Sequence, residues 1–217
     1  MKSVTLISGG IDSFVAAAVE KAQGSDIYGL SVNYGQVHGK ELVCAKKIGQ
    51  FLGMKEHRFI DIDLSWLPSS LIDENYRAKK ISKIPATYVP ARNIILLSLA
   101  LAYAESIDAD AIVIGVHSID YSGYPDCRPE FIAAFQNVAD TGVKKSVEGG
   151  KITIKTPLIL MKKSEIVKLG NKLGLDFSIT WSCYRGAEKA CGICDSCKIR
   201  RAAFTDAGLK DPIQYER

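Results

Sequence analysis

The sequence predicts an α/β protein built on a parallel sheet, with a small cysteine-rich element near its C-terminal end. Three observations predict it. Short apolar runs alternate with helix-like segments at the spacing of strand–helix–strand units. The first apolar run breaks at Gly9-Gly10 and passes at once into an Ala-rich, helix-forming stretch. Four of the six cysteines gather between Cys183 and Cys197.

The strands are expected at Val4–Ile7, Ile27–Val32, His57–Ile62 and Ala111–Val116, each a short apolar or β-branched run. Helices are expected between them at Asp12–Gln23, Gly39–Leu52 and Asn93–Ser106. The last of these carries Ile94, Ile95, Leu96, Leu97, Leu99 and Leu101 nearly all round its axis, so it is expected to be deeply buried. Two long connections, Asp63–Ala91 and Ser118–Pro129, lack periodicity, and loops of that length are usually functional. A further strand, Lys151–Thr156, precedes a helix over Glu165–Leu173 that Ser164 caps and Gly174 ends. The chain divides as residues 1–175, an α/β unit, and 176–217, a cysteine-rich region packed on it.

With 217 residues, 47% hydrophobic and 24% charged, the chain is large enough to bury a full core. A net charge of +4 suits anionic small ligands as well as nucleic acid and decides between neither. The longest apolar run, Ile94 to Tyr103, falls well short of the roughly 20 residues of a membrane span. With no signal-peptide pattern either, a cytoplasmic location is expected. Cysteines there serve metals or reactive chemistry rather than disulfides.

Ser8-Gly9-Gly10-Ile11-Asp12-Ser13 joins the first strand to the first helix. Two glycines let the backbone approach an anion, and the first-turn N–H groups point at it. An ordinary Ser/Asp-capped helix has a similar composition. In open parallel sheets ligands sit beyond the carboxyl ends of the strands, where strand order reverses. Asn33-Tyr34-Gly35-Gln36 and Gly115-Val116-His117-Ser118 follow the second and fourth strands at that same edge, so the three segments should meet in one pocket. No G-x-G-x-x-G follows a strand. Gly35–Lys40 fails as a Walker motif, with one residue too few between its glycines and Glu41 where Ser or Thr belongs. Cys183, Cys191, Cys194 and Cys197 form a C-x7-C-x2-C-x2-C set suited to tetrahedral zinc, with no open ligand position, so a structural metal is expected. An iron–sulfur centre is the rival, but the cysteine and proline that would continue its motif are absent. Of the remaining two, Cys44 reads as a small buried hydrophobe, and Cys127, between Asp126 and Arg128, is better placed for a site role. Lys198, Arg200 and Arg201 read as a solvated helix face.

The Ser8–Ser13 loop resembles, letter for letter, the S-G-G-x-D-S loop of the PP-loop ATP pyrophosphatase family. Tyr88–Asn93 (Y-V-P-A-R-N), Asp120–Phe131, Thr180–Tyr184 and the Cys191–Cys197 tail extend the resemblance to the 7-cyano-7-deazaguanine synthase family within it. After the second strand Gln36, His38 and Glu41 fit that family's pattern, while Asn33 and Val37 depart from it. The resemblance implies a Rossmann-like, adenine nucleotide alpha hydrolase-like sheet with helices on both faces. It also implies cleavage of ATP, with magnesium, between its α- and β-phosphates. The substrates implied are 7-carboxy-7-deazaguanine and ammonia, with no direct nucleic-acid or membrane partner, in an expected homodimer.

On that footing Ser8, Gly9, Gly10, Asp12, Ser13 and Arg92 are expected to bind ATP and pyrophosphate, with Asp12 and Ser13 catalytic and Asp12 the partner of magnesium. A flat deazapurine needs a stacking surface and a polar reader: Tyr121 or Tyr124 for the first, Asp126 for the ring N–H and 2-amino edge. Arg128 or Arg92 supplies a fork for a carboxylate or phosphate. Core packing of the tyrosines and an Asp126–Arg128 ion pair are the structural alternatives. His38 and His117 lie near the expected mouth. A tRNA-thiolating PP-loop enzyme and a nucleic-acid-binding zinc ribbon are rival readings; the first lacks its reactive cysteine pair, the second its basic–aromatic stripe.

Overall fold

The structure, a computed structural model, describes residues 1–36, 39–73, 75–77, 84–117, 123–185 and 188–216. Five parallel strands form one sheet in the order β3-β2-β1-β4-β5. They are β1 Lys2–Leu6, β2 Asp26–Asn33, β3 Glu56–Asp61, β4 Ala111–Val113 and β5 Thr153–Lys155. The chain runs outward from β1 through β2 to the edge strand β3, then returns to lay β4 on the other side of β1. Ser3, Val4 and Thr5 are paired on both sides, Val4 with Tyr28 of β2 and Ile112 of β4. Strand order therefore reverses at the β1/β4 boundary, where such sheets open a crevice at their carboxyl ends.

Among the described residues the α-helices are α1 Ile11–Ala22, α2 Lys40–Leu52, α3 Arg92–Ser106, α4 Pro129–Gly142, the single turn α5 Lys144–Val147, α6 Lys163–Lys172 and α7 Asp195–Ala207. They cover both faces. One core unites Val4, Leu6, Leu30 and Ile112 with Leu97 and Leu101 of α3 and Phe135 of α4. The other joins Phe14, Val15 and Ala16 of α1 to Ile48 of α2, Ile166 of α6 and Phe204 of α7. A third cluster gathers Cys44, Trp181, Cys183, Cys191 and Cys197. Among the described residues no helix is long and apolar enough to cross a membrane.

The structure corrects four expectations. Helix α3 is not buried all round: Ile94 is 43% exposed, Ile95 and Leu99 are half-buried, and only Leu97 and Leu101 of the leucine set are buried. A helix lying on one face of a sheet turns half its side chains outward at 100° per residue, whatever their chemistry. β4 ends at Val113 rather than Val116 because Ile114–His117 leaves the ladder toward α1. At Gly115 an added Cβ would stand 2.8 Å from the Asp12 carbonyl carbon and the Ser13 nitrogen. Helix α6 begins two residues earlier than Ser164 implied, with Lys162 at the cap position, and the Glu165 carboxylate accepts the Lys162 N–H at 2.6 Å. Arg200 does not face solvent; it is 1% exposed. Its guanidinium donates to both Asp211 oxygens (2.8 and 3.0 Å), to Thr180 Oγ1 (2.8 Å) and to the Phe177 carbonyl (3.2 Å), a set that offsets its burial. Cys44, by contrast, is buried as expected.

Candidate active site

The β1–α1 connection is braced by its own hydroxyls. Ser13 Oγ accepts the Ser8 N–H (3.2 Å) and donates to the Gly10 carbonyl (3.2 Å). Ser8 Oγ lies 3.1 Å from Ser13 Oγ and accepts the Gly10 N–H (3.3 Å). No side chain caps α1, so the ordinary capped-helix alternative is not what these residues form. The first-turn N–H groups of Ile11, Asp12 and Ser13 have no intrahelical acceptor and face the crevice with the positive end of the dipole. Gly9 adopts φ +92°, and a Cβ there would fall 2.1 Å from the Glu41 carbonyl oxygen. Only glycine allows both that backbone angle and that approach.

Asp12 projects from α1 into a cavity of about 330 Å³. One carboxylate oxygen pairs with Lys163 Nζ at the start of α6 and lies 3.7 Å from His117 Nε2. The other, Oδ1, is buried with no hydrogen-bond partner among the described residues. A carboxylate held on one oxygen and unpartnered on the other fits a magnesium ion that arrives with a nucleotide. Lys163 was missed in the sequence, although it left a signal: Lys162 and Lys163 open a helix, where the dipole disfavours cations. A basic residue in that position needs a partner elsewhere, and Asp12 is that partner.

The cavity brings together Ser8, Gly10, Asp12, Ser13, Tyr34, Gln36, Gly115, His117, Arg92 and Tyr124, so the three expected segments do meet. Lys163, Glu41, Trp181 and Tyr184 also line it, and none of the four had been singled out as a site residue. Arg92 Nη1 donates to Tyr34 Oη at 3.1 Å. Tyr124 donates to or accepts from Thr87 Oγ1 at 2.6 Å, and its ring lies 6.0 Å from that of Tyr88. Burial raises the Glu41 carboxyl from 4.5 to about 7, against the opposing pull of Arg92.

Tyr121 and His38 lie outside the described residues. Asp126 and Arg128 are described, and neither lines the cavity. The Asp126 carboxylate accepts the Asn93 N–H at 2.9 Å and its carbonyl accepts Asn93 Nδ2 at 3.1 Å, so it serves the N-terminus of α3. Asn93 Nδ2 also reaches Cys127 Sγ at 3.1 Å, and both residues line the cavity, so this buried thiol stands at the site as its sequence position implied. Arg128 is exposed at the N-cap of α4. The mutual ion pair of the sequence-based alternative is not formed: Asp126 is taken up by the start of α3, and the Arg128 side chain makes no cap bond to α4.

The cysteine tail is tied directly to the loop. The Trp181 N–H donates to the Gly9 carbonyl at 2.9 Å, and its indole N–H to the Cys183 carbonyl at 3.0 Å. Lys40 Nζ sits 3.5 Å over the indole ring. The Cys183, Cys191, Cys194 and Cys197 sulfurs all lie within 4.8 Å of one another. Cys191 Sγ accepts the Cys194 N–H (3.4 Å) and Cys183 Sγ the Cys191 N–H (3.3 Å), as metal-bound thiolates commonly do. Burial would push the Cys191 thiol up, but the Ile193 and Cys194 N–H donors outweigh it and leave it near 7. Four sulfurs so placed, mostly buried, are a metal-binding set with no open position.

A parallel sheet, an S-G-G-x-D-S turn at its switch point and a cavity of about 330 Å³ above it define the class as a Rossmann-like α/β protein with an anion-binding first turn. In fold the chain is similar to the NMN synthetase of Francisella tularensis (TM-score 0.53, 18% identity, 96% of this chain and 77% of that one). It is also similar to a predicted subunit of tRNA methyltransferase from Methanocaldococcus jannaschii (TM-score 0.52, 19% identity, 97% and 90%). The family described as "Queuosine biosynthesis protein QueC" matches residues 2–208. A protein named 7-cyano-7-deazaguanine synthase in Coxiella burnetii is 49% identical over 222 residues, covering 99% of this chain and 97% of its own. One of the same name in Trichodesmium erythraeum is 50% identical over 221 residues, covering 98% and 100%. The chain belongs to the QueC family.

Proposed function

We propose that this chain joins ammonia to 7-carboxy-7-deazaguanine and dehydrates the product to 7-cyano-7-deazaguanine at the expense of ATP, acting as a C–N bond-forming ligase. The observation that carries the reading is the buried, unpartnered Asp12 oxygen in the first turn of α1, on a cavity that also holds Arg92. A carboxylate is a poor electrophile because it is negative and its oxygen is a poor leaving group. Attack of that carboxylate on the α-phosphate of ATP removes both faults. Ser8, Gly9, Gly10, Asp12 and Ser13, joined by Lys163, hold the departing pyrophosphate and its magnesium by charge and N–H donation. Ammonia then displaces AMP to give the amide. A second adenylation, on the amide oxygen, allows elimination to the nitrile in the same cavity.

Arg92 pairs with the substrate carboxylate or a phosphate, and Tyr124, with Tyr121 beside it in sequence, offers the stacking surface. Asp126 acts on the substrate through Asn93 and the start of α3. Residues 1–175 then hold the nucleotide, and residues 176–217 brace the loop through Trp181. Zinc in the four-cysteine set would stiffen that brace and take no part in the chemistry. Two copies of the chain and a cytoplasmic setting complete the reading.

The test is release of AMP and pyrophosphate from ATP, with mass-spectrometric detection of the nitrile. It should require both the deazapurine acid and ammonium. Release that instead requires tRNA and a sulfur donor would favour the thiolating alternative.

A further inference from the structure

We infer that Glu41 is a catalytic residue of this site, the base that takes up the protons shed by the incoming nitrogen. The inference rests on the reaction proposed above and adds a residue that reaction needs. Ammonium enters with four protons on nitrogen, and the nitrile leaves with none. When ammonia attacks the adenylated carboxyl, a C–N bond forms and the C–O bond to AMP breaks, its electron pair leaving on AMP. The nitrogen must then lose a proton to become a neutral amide. In the second round the amide oxygen bonds to the α-phosphate of a new ATP as pyrophosphate leaves. The nitrogen loses one proton there, and its last as the C–O bond to AMP breaks and the C≡N bond closes. Each of these steps needs an acceptor within reach of the same nitrogen, and a carboxylate that returns each proton to solvent suffices.

The cavity offers few candidates. Asp12 is paired with Lys163 and adjoins His117 at the pyrophosphate end. Among the described residues Glu41 is the remaining carboxylate on the wall, at the first turn of α2. Its backbone supports Gly9, so it stands beside the loop where the leaving group departs. No hydrogen bond from a described residue ties up its side chain, and the charge acting on it is Arg92 of α3. The other titratable groups turned toward it are Tyr184 of the tail and Cys44 on its own helix. Tyr34 and Tyr124 share the wall, and Lys40, its neighbour in sequence, is drawn away over Trp181. None of these holds the carboxyl in the charged state as a lysine partner would. Its raised midpoint near 7 is that of a base which both accepts and releases protons at neutral pH.

The test compares wild type with Glu41→Gln, using two nucleophiles. Hydroxylamine is a more acidic amine whose adduct loses its proton to water, so it intercepts the adenylated acid as a hydroxamate without a protein base. E41Q should form hydroxamate within about threefold of wild type, while nitrile formation from ammonia falls by ~100-fold or more. After correction for the free ammonia fraction, wild-type kcat/KM for ammonia should rise with pH through about 7, and that limb should vanish in E41Q. E41Q with wild-type nitrile formation, or with the limb intact, overturns the inference. Equal loss in both arms also overturns it, by giving Glu41 a part in adenylation or folding instead. Wild-type protein that forms neither product refutes the proposed reaction itself, an outcome distinct from either.

Discussion

Gly115→Ala is the substitution by which the geometry of the loop can be tested without touching any group that reacts. Gly115 follows β4 and packs flat against the first turn of α1. An added Cβ would lie 2.8 Å from the Asp12 carbonyl carbon, 2.8 Å from the Ser13 nitrogen and 2.9 Å from the Asp12 carbonyl oxygen. Favourable carbon contacts begin near 3.5 Å, so the two segments must part by roughly 0.7 Å. All three obstacles are backbone, so no side chain can rotate away. Overpacking of this kind costs about 1–3 kcal/mol. At ~2–4 °C per kcal/mol for a chain of this size, the melting temperature should fall by roughly 2–12 °C. The functional loss should be larger, because the moved atoms carry the N–H groups and the carboxylate. A displacement near 1 Å in a positioning element costs about 100-fold in rate. The assay is pyrophosphate release with deazapurine acid and ammonium, alongside thermal melting and metal content. Gly142→Ala, at the end of α4 with only Val138 Cγ1 at 3.9 Å, is the control and should melt at or slightly above wild type. A G115A enzyme with wild-type turnover would refute the claim that the α1 first turn positions the phosphates.

Three further substitutions test other parts of the account. Asp12→Ala should lower turnover by ~1000-fold or more while leaving metal content at wild-type level, measured by pyrophosphate release and elemental analysis. Cys194→Ser should reduce bound metal and soluble yield together; a soluble, metal-free protein with a wild-type melt would exclude a structural metal. The Glu41 carboxyl carries a linkage of definite sign. Its midpoint is raised from 4.5 to about 7, so the folded state holds its proton more tightly than the unfolded chain does. Wild-type stability relative to E41Q should therefore fall as pH rises from 4.5 to 7 and level off above. The total is at most about 3.5 kcal/mol, and less where water reaches the carboxyl. A difference in melting temperature that does not change with pH would contradict it.

The sheet was legible because β1, β2 and β4 are short runs dominated by buried apolar residues, and the helices between them kept their period. The site's floor was legible for a related reason: Ser8–Ser13 is local, and its hydroxyls, glycines and carboxylate act through the backbone they sit on. The four-cysteine set was equally local. What the sequence concealed was every choice settled by long-range packing. Arg200 carries the charge of a surface residue, yet Asp211 and Thr180 close around it. Asp126 has the chemistry of a base reader but lies where α3 needs an acceptor for the Asn93 N–H. Lys163 is 151 residues from Asp12 along the chain, and their pairing depends on α6 packing beside α1. Glu41 lies on a helix face whose neighbour, Arg92, arrives from a different strand crossover. The apolar surround of α3 likewise said nothing of how many layers would cover it.

The central claim is that the loop and cavity cleave ATP to activate a deazapurine carboxylate. The most direct measurement is to supply ATP whose α–β bridging oxygen carries ¹⁸O, together with magnesium, ammonium and 7-carboxy-7-deazaguanine, and to follow the label into products. The account predicts AMP and labelled pyrophosphate, formed with the nitrile and only when both substrates are present. Release of ADP and inorganic phosphate, or AMP formation indifferent to the deazapurine acid, would contradict it.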